Sequence, residues 1–244
     1  MWDFDNLSIW CINLEERTDR FNDVNKEFKK VGLNVNFHRP KKDPRGGMVG
    51  CFLSHVHCMK QALKENKNVL IFEDDVYFTD DWASKLPDAI NIYKSEWDVI
   101  RLGSIISSIH SDTELKNVKI GKAYGNHAIM INISLLKKFE KDLMFDDHVH
   151  IDDFFHDSDI KEYLLVDPLC YQRPYTSDNT WFSRCNFIQT FMEHEIIFIP
   201  LQKINNIQLK YMSCLPIKVQ EVCGAWGFLI TLGRYLTNVN DLII

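Results

Sequence analysis

The sequence lacks three features that would place it outside a reducing compartment. None of its 244 residues lie in an apolar run of about 20, the length that crosses a membrane. Its first residues, Met1 to Asp5, show no basic segment followed by an apolar core, which a secretory signal requires. The seven cysteines are odd in number and include no C-x-x-C pair, so they do not suggest a disulfide framework. We therefore expect a cytoplasmic protein with reduced thiols.

The sequence also lacks an excess of positive charge. It has 28 Lys and Arg against 34 Asp and Glu, a net charge of −6, which argues against a nucleic-acid partner. With 10 Gly and 7 Pro it shows no long linker, and we find no internal repeat. An apolar fraction of 45% is ordinary for a globular domain.

Segments rich in β-branched residues alternate with helical ones, which predicts an α/β fold with a mostly parallel sheet flanked by helices. We expect a first strand over Leu7–Leu14, a helix over Met48–Glu65 and a strand over Asn126–Asn132. Another strand is expected to end at Gly103. The prediction is a single α/β domain over residues 1–200. The apolar tail, residues 201–244, is expected to pack on it; a homodimer or peripheral membrane contact is the alternative.

Three consecutive acids, Glu73, Asp74 and Asp75, end an apolar run that reads as a buried strand. Neighbouring carboxylates repel one another and cost free energy when they are buried without a partner. Oxygen ligands suit Mg²⁺ or Mn²⁺, which commonly bind together with substrate phosphates. The pattern therefore predicts a metal-dependent nucleotide or sugar-nucleotide site, and a solvated acidic turn is the alternative.

A second polar group follows the first predicted strand. Ligands of open α/β sheets gather at the carboxyl ends of strands. There Asn13 offers an amide, and Arg17 or Arg20 offers a cation for phosphate. The alternative is an ordinary helix start with its arginines in surface ion pairs.

A third group lies on the next predicted helix. Cys51, His55 and Cys58 share a face at i, i+4 and i+7, which suits a soft metal, but no fourth ligand is evident. The favoured interpretation is that Ser54 and His55 make polar contacts while the cysteines pack.

The ordered set of motifs resembles glycosyltransferase family 25, which includes bacterial lipooligosaccharide galactosyltransferases and collagen galactosyltransferases. The resemblance spans about Ser8 to Asn179. The matching pieces, in order, are Ile12-Asn13-Leu14 with Arg17, Asp19 and Arg20; Gly50-Cys51-Phe52-Leu53-Ser54-His55; Ile71-Phe72-Glu73-Asp74-Asp75-Val76; Trp97-Asp98-Val99-Ile100-Arg101-Leu102-Gly103; Gly125-Asn126-His127-Ala128; Ile151-Asp152-Asp153; and Tyr171-Gln172 with Ser177-Asp178.

The resemblance implies a GT-A-type, Rossmann-like fold, a UDP-sugar donor (usually UDP-galactose) and Mn²⁺ or Mg²⁺. It makes Asp75 the principal metal ligand, with Asp74 and Glu73 as further ligands or as contacts to donor ribose or metal-bound water. The remaining donor-site residues that it implies are Asn13, Arg17, Ser54, His55 and His127; the last is also a candidate metal ligand or an ordinary core residue.

Members of the family resemble inverting transferases, which need a general base. Asp152 matches the family's acid best, and Asp153 is next. A His at position 150, where the family often has Pro, is a departure.

The resemblance therefore implies metal-dependent, inverting transfer of a hexose, expected to be galactose, from a UDP-sugar to a hydroxyl. The acceptor would be a glycan or a protein, with collagen-like hydroxylysine included. A nucleotidyltransferase and a non-catalytic glycan-binding or partner-binding relative are the alternatives.

Overall fold

The computed structural model describes residue 4 and residues 6–140, 151–156 and 158–173. These residues belong to the first of two compact units, Met1–Pro174. The predicted domain boundary at residue 200 and the predicted packing of the tail lie outside the described residues. Within the described part of the chain, no helix has the length and apolar character needed to cross a membrane.

The unit alternates strands and helices for most of its length. Its elements in chain order are β1 (Leu7–Ile12), α1 (Thr18–Val31), β2 (Asn36–His38), α2 (Gly47–Glu65), β3 (Asn68–Glu73), β4 (Val76–Phe78), α3 (Trp82–Tyr93), β5 (Val99–Asp112), β6 (Val118–Ile131), α4 (Ile133–Lys138), α5 (Ile151–His156), β7 (Glu162–Leu165) and β8 (Cys170–Gln172).

Six strands form the central sheet in the order β2-β1-β3-β6-β5-β7. The β1–β2, β1–β3 and β5–β7 pairs are parallel, while β6 runs antiparallel to β3, β5 and β7. Five strands therefore share one direction, and the prediction of a mostly parallel α/β sheet is confirmed. A separate antiparallel pair, β4 with β8, lies beyond the acidic end of β3.

Side-chain alternation along β3 divides the core into two layers, because successive residues of a strand point to opposite faces. Leu70 and Phe72 pack in one cluster with residues of α1 and α3. Val69 and Ile71 pack in the other with residues of α2, α4 and α5. Glu73 is the last residue of β3, and Asp74 and Asp75 follow it in the turn that leads to β4.

The strand that was expected to end at Gly103 continues to Asp112, so this prediction was wrong. It pairs with the equally long β6, and the register shifts at several points along the pair. Gly103 is needed here for another reason: an added Cβ would overlap the carbonyl oxygen of Cys170 and would lie 2.6 Å from His127 Nε2. The glycine therefore lets the chain at Cys170 approach the sheet closely.

We expect Gly103→Ala to lower the free energy of unfolding by about 1–3 kcal/mol, because the new methyl overpacks a backbone contact that cannot move aside. Gly50→Ala is the control, since its Cβ would meet only Asp43, nearest at the side-chain Cβ, 3.2 Å away. That change lies in helix α2, where Ala is favoured over Gly. Urea denaturation measures both variants, and equal stabilities would contradict the assignment.

Candidate functional site

The site begins where β1 and β3 end side by side. Their parallel register pairs Ile12 with Glu73, so the residues that follow, Asn13 and Asp74, are neighbours. Asn13 Nδ2 donates to Asp74 Oδ2 at 2.7 Å, and both residues are buried. The amide that follows the first strand and the acidic motif therefore meet at this edge of the sheet.

Asp74 is fully engaged by the protein. Its Oδ1 accepts a hydrogen bond from Arg20 Nη1 at 3.0 Å, and the two side chains are only 10% and 8% exposed. Asn13, on the other oxygen, is held in turn by Arg39, whose Nε donates to Asn13 Oδ1 at 2.9 Å. Arg20 thus balances the charge of Asp74, and Arg39 orients the amide beside it.

Asp75 is held on one side only. Its Oδ2 accepts from Gln172 Nε2 of β8 at 2.8 Å. Its Oδ1 is buried and has no hydrogen-bond partner among the described residues. Burial and then the charge of Asp74 raise the pKa of Asp75 to about 7. An unpartnered carboxylate oxygen in this setting fits a divalent cation, which would offset the charge and satisfy the oxygen.

Glu73 points to the other face of β3, toward helix α2. Its Oε1 lies 3.6 Å from His55 Nε2 and 4.0 Å from Cys51 Sγ. Its side chain keeps 23% exposure. Burial, followed by the charges of Asp75 and Asp152, raises the pKa of Glu73 well above its ordinary value. The three consecutive acids therefore occupy three different environments.

Helix α2 contributes His55 and Ser54. His55 is fully buried, and its Nδ1 lies 3.0 Å from the Cys51 carbonyl oxygen. Ser54 Oγ donates to the Gly50 carbonyl at 2.6 Å, so its polar contact is with its own helix. Cys58 packs in the apolar core, whereas Cys51 converges with His55 and Glu73. The Cys51, His55 and Cys58 ligand face considered above is thus replaced by one that includes Glu73.

The two candidate bases differ in their surroundings. Asp152, in the first turn of α5, is buried, and its Oδ1 accepts from the Gly125 backbone at 3.0 Å and from Asn126 Nδ2 at 2.5 Å. Asp153 is exposed. Asp152 also raises the pKa of Glu73, which places its charge near the acidic motif. The neighbouring acids at 146 and 147 lie outside the described residues.

His127 lies on β6 in a narrow space lined by Gly103 and Gly125. It is buried, and burial together with the Arg101 charge lowers the pKa of His127 to about 4. The ring is therefore neutral at physiological pH. Its roles as a donor contact or a metal ligand stay predictions.

Arg17 forms a local ion pair. Its Nη2 lies 2.9 Å from Asp19 Oδ2, and the two side chains are 21% and 61% exposed. This is the surface pairing that the alternative interpretation of the helix start predicts, whereas Arg20 is in a buried pair. Contact of Arg17 with a nucleotide stays a prediction.

Sequence reasoning missed a buried polar network behind Asp152. Arg101 is fully buried on β5, and its Nε donates to Glu162 Oε1 at 2.6 Å. Its Nη1 donates to Asn126 Oδ1 at 2.6 Å and to the Gly125 carbonyl at 3.2 Å. The available signal was a charged residue inside an apolar strand, since a buried Arg needs a partner. The network orients the amide that holds Asp152.

The fold and this edge of the sheet define an α/β protein with an acidic site at its strand ends. The family model described as "Glycosyltransferase family 25 (LPS biosynthesis protein)" matches residues 45–234, and the chain belongs to that family.

Each individual relative aligns with only part of this chain and with less than half of its own length. A "Glycosyltransferase 25 family member" of Anopheles gambiae is 25% identical over a match of 228 residues. The match covers 72% of this chain and 38% of the relative. An "Inactive glycosyltransferase 25 family member 3" of Mus musculus is 39% identical over 61 residues, 23% of this chain and 10% of the relative. The chain therefore spans less than half the length of these relatives. A solved glycosyltransferase involved in glycosylation of the major capsid of PBCV-1 is similar at 10% identity and a TM-score of 0.39, over 58% of this chain and 67% of that one.

Proposed function

We propose that this chain is a metal-dependent, inverting glycosyltransferase that moves a hexose, with galactose as the first candidate, from a UDP-sugar to a hydroxyl. The acceptor is a glycan or a hydroxyl-bearing protein. The observation that carries the proposal is the buried, unpartnered Oδ1 of Asp75 beside two further carboxylates at the end of β3. Family membership supports the reaction class.

The environments of the three acids suggest different roles. Asp75 would be the principal ligand of Mn²⁺ or Mg²⁺, whereas Glu73, which faces His55 and Cys51 of α2, would at most contact a metal-bound water. The metal, when bound, would stabilise charge on the departing diphosphate as a Lewis acid. Asp74 already has both oxygens engaged, by Asn13 and Arg20, so we assign it to orienting Asn13 toward the nucleotide rather than to the metal.

The residues assigned to the donor pocket differ in how far their polar atoms are already engaged by the protein. The Asn13 amide lies at this strand end, but its Nδ2 already donates to Asp74 and to the Arg17 carbonyl and its Oδ1 accepts from Arg39, so a base or ribose would meet only its remaining oxygen lone pair. His55 and His127 are buried, so they would act as neutral groups that shape the pocket. Ser54 and Arg17 would need to leave their present partners, Gly50 and Asp19, to contact the donor.

Asp152 is the general base of this proposal. It would accept the proton of the acceptor hydroxyl while the acceptor oxygen bonds to the anomeric carbon and the bond from that carbon to the diphosphate breaks. Attack on the face opposite the leaving group gives inversion. Holding Asp152 through Gly125 and Asn126 fixes its direction before the acceptor binds.

A panel of UDP-sugars tests the proposal, with Mn²⁺, Mg²⁺ or a chelator present and with glycan and hydroxylysine acceptors. We expect metal-stimulated release of UDP from one or two of the sugars, with UDP-galactose tested first, and transfer to one acceptor class. Consumption of free NTP instead would indicate a nucleotidyltransferase. Metal-dependent UDP binding without turnover would indicate a non-catalytic relative.

We expect Asp152→Asn to leave UDP binding unchanged and to reduce transfer by about 10²–10⁴-fold, because the amide cannot accept the proton. Asp153→Asn is the matched control, since the neighbouring carboxylate is exposed. Initial rates with saturating donor, together with calorimetry of UDP binding, separate the two effects. A larger loss in Asp153→Asn than in Asp152→Asn would move the base to position 153.

A further inference from the structure

A second group of ligand-type side chains lies beside the acidic motif. Cys51 and His55 stand one turn apart in helix α2, and Glu73 reaches them from β3. One ligand atom from each residue lies within 4.8 Å of the others. We call these three residues the thiol–imidazole cluster. The proposed reaction gives Cys51 no part.

The hydrogen bond of His55 sets which ring nitrogen is available. A carbonyl oxygen can only accept, so the nitrogen that faces the Cys51 carbonyl at 3.0 Å, Nδ1, carries the proton. With that proton on Nδ1, the neutral ring keeps a lone pair on Nε2. Nε2 is buried, has no hydrogen-bond partner among the described residues and faces Glu73 Oε1. Metal-binding histidines commonly donate their second N–H to a carbonyl in this way.

The separations in the cluster are close to those around a tetrahedral zinc ion. Metal–ligand bonds of about 2.0–2.3 Å place neighbouring ligand atoms about 3.3–3.7 Å apart. Here Nε2 of His55 lies 3.6 Å from Oε1 of Glu73, and Sγ of Cys51 lies 4.0 Å from the same oxygen. Cys51 Sγ lies 3.7 Å from the other ring nitrogen of His55, Nδ1, so the cysteine side chain would have to turn toward Nε2 to complete the geometry.

We propose that Cys51, His55 and Glu73 form a binding site for a soft divalent cation such as Zn²⁺, distinct from the site at Asp75. The fourth position would be taken by water. One sulfur and one nitrogen ligand favour Zn²⁺ or Co²⁺ over Mg²⁺ and Mn²⁺, which prefer oxygen.

Charge balance supports the site. A thiolate and a carboxylate together carry two negative charges, which one divalent cation cancels. A cation bound here would displace the thiol proton of Cys51, as metal binding to cysteine does generally. Cys58, on the same helix, is surrounded by apolar side chains and is not part of the cluster.

Titration of the metal-free, reduced protein with Co²⁺ alone tests the proposal. We expect one equivalent to bind with a thiolate-to-cobalt charge-transfer band and Zn²⁺ to displace it. Cys51→Ala should remove the band and weaken Zn²⁺ binding more than about 100-fold, since even groups that only orient a ligand are worth 10–100-fold. Cys58→Ala, the same change on the same helix, should keep the band.

Asp75→Ala separates this site from the proposed catalytic metal. The variant should bind Co²⁺ with an unchanged charge-transfer band, whether or not it transfers sugar. A band that persists in Cys51→Ala would overturn the proposal, as would wild-type protein that binds no Co²⁺ through sulfur. Circular dichroism of each cysteine variant confirms that it is folded, and neither result depends on glycosyl transfer.

Discussion

Transfer by Asp75→Ala is expected to fall by about 10²–10³-fold or more, the rate equivalent of the several kcal/mol that a Lewis-acid metal supplies. Asp75 is the one acid of the motif with a buried carboxylate oxygen that lacks a partner among the described residues. Its loss should also weaken metal-assisted UDP binding. Because the side chain makes a single described hydrogen bond, to Gln172, folding should survive. Initial rates across a Mn²⁺ series measure the effect.

Asp80→Ala is the control for this prediction. Asp80 follows five positions later, but its side chain is fully exposed and, among the described residues, pairs with Lys30 alone, at 3.1 Å. A surface pair of this kind contributes little to stability. Unchanged turnover in Asp75→Ala would contradict its role as metal ligand. Equal losses in both variants would indicate a general effect of removing charge from this segment.

Arg101→Met is expected to lower the free energy of unfolding by about 3–5 kcal/mol, the usual result of removing one partner from a buried ion pair. Arg101 and Glu162 are both completely buried, so the carboxylate would be left without a cation. Asn126 would also lose a hydrogen bond from the guanidinium. Urea denaturation of purified protein measures the change.

The double variant Arg101→Met, Glu162→Met shows whether the uncompensated charge is the cause. We expect it to recover much of the stability lost in the single variant, because apolar pairs of similar volume commonly replace buried ion pairs at little cost. Equal stabilities of the single and double variants would contradict this explanation. Arg101→Lys is a further comparison, since Lys keeps the charge but cannot reach both partners in the planar geometry of Arg.

Much of the architecture could be predicted from the sequence. The apolar run that ends in three acids predicts a buried strand, and β3 occupies that segment. The predicted helix over Met48–Glu65 is α2, which begins one residue earlier. The β5–β6 hairpin differs from the prediction: the sequence predicts that a strand ends at Gly103, whereas β5 passes through this residue. The sequence does not distinguish a glycine that a close backbone contact requires from a glycine that ends a strand.

The candidate site, like the fold, could be predicted from the sequence only in part. The sequence places Glu73, Asp74 and Asp75 at a strand end, and the position of Asn13 follows from parallel pairing. It does not show that Arg101, Asn126 and Glu162 meet, because these residues come from three separate strands. Their meeting depends on the order of strands across the sheet.

The sequence by itself determined the family, the α/β class and the presence of three adjacent carboxylates at a strand end. Only the tertiary structure decided which partners each acid meets. Asp74 is balanced by Arg20, 54 positions away, while Glu73 turns to Cys51 and His55, and Asp75 keeps an unsatisfied oxygen. The physical reason is that Glu73 is the last residue of β3 and faces helix α2, whereas Asp74 and Asp75 lie in the turn before β4, so three adjacent carboxylates meet three different sets of neighbours.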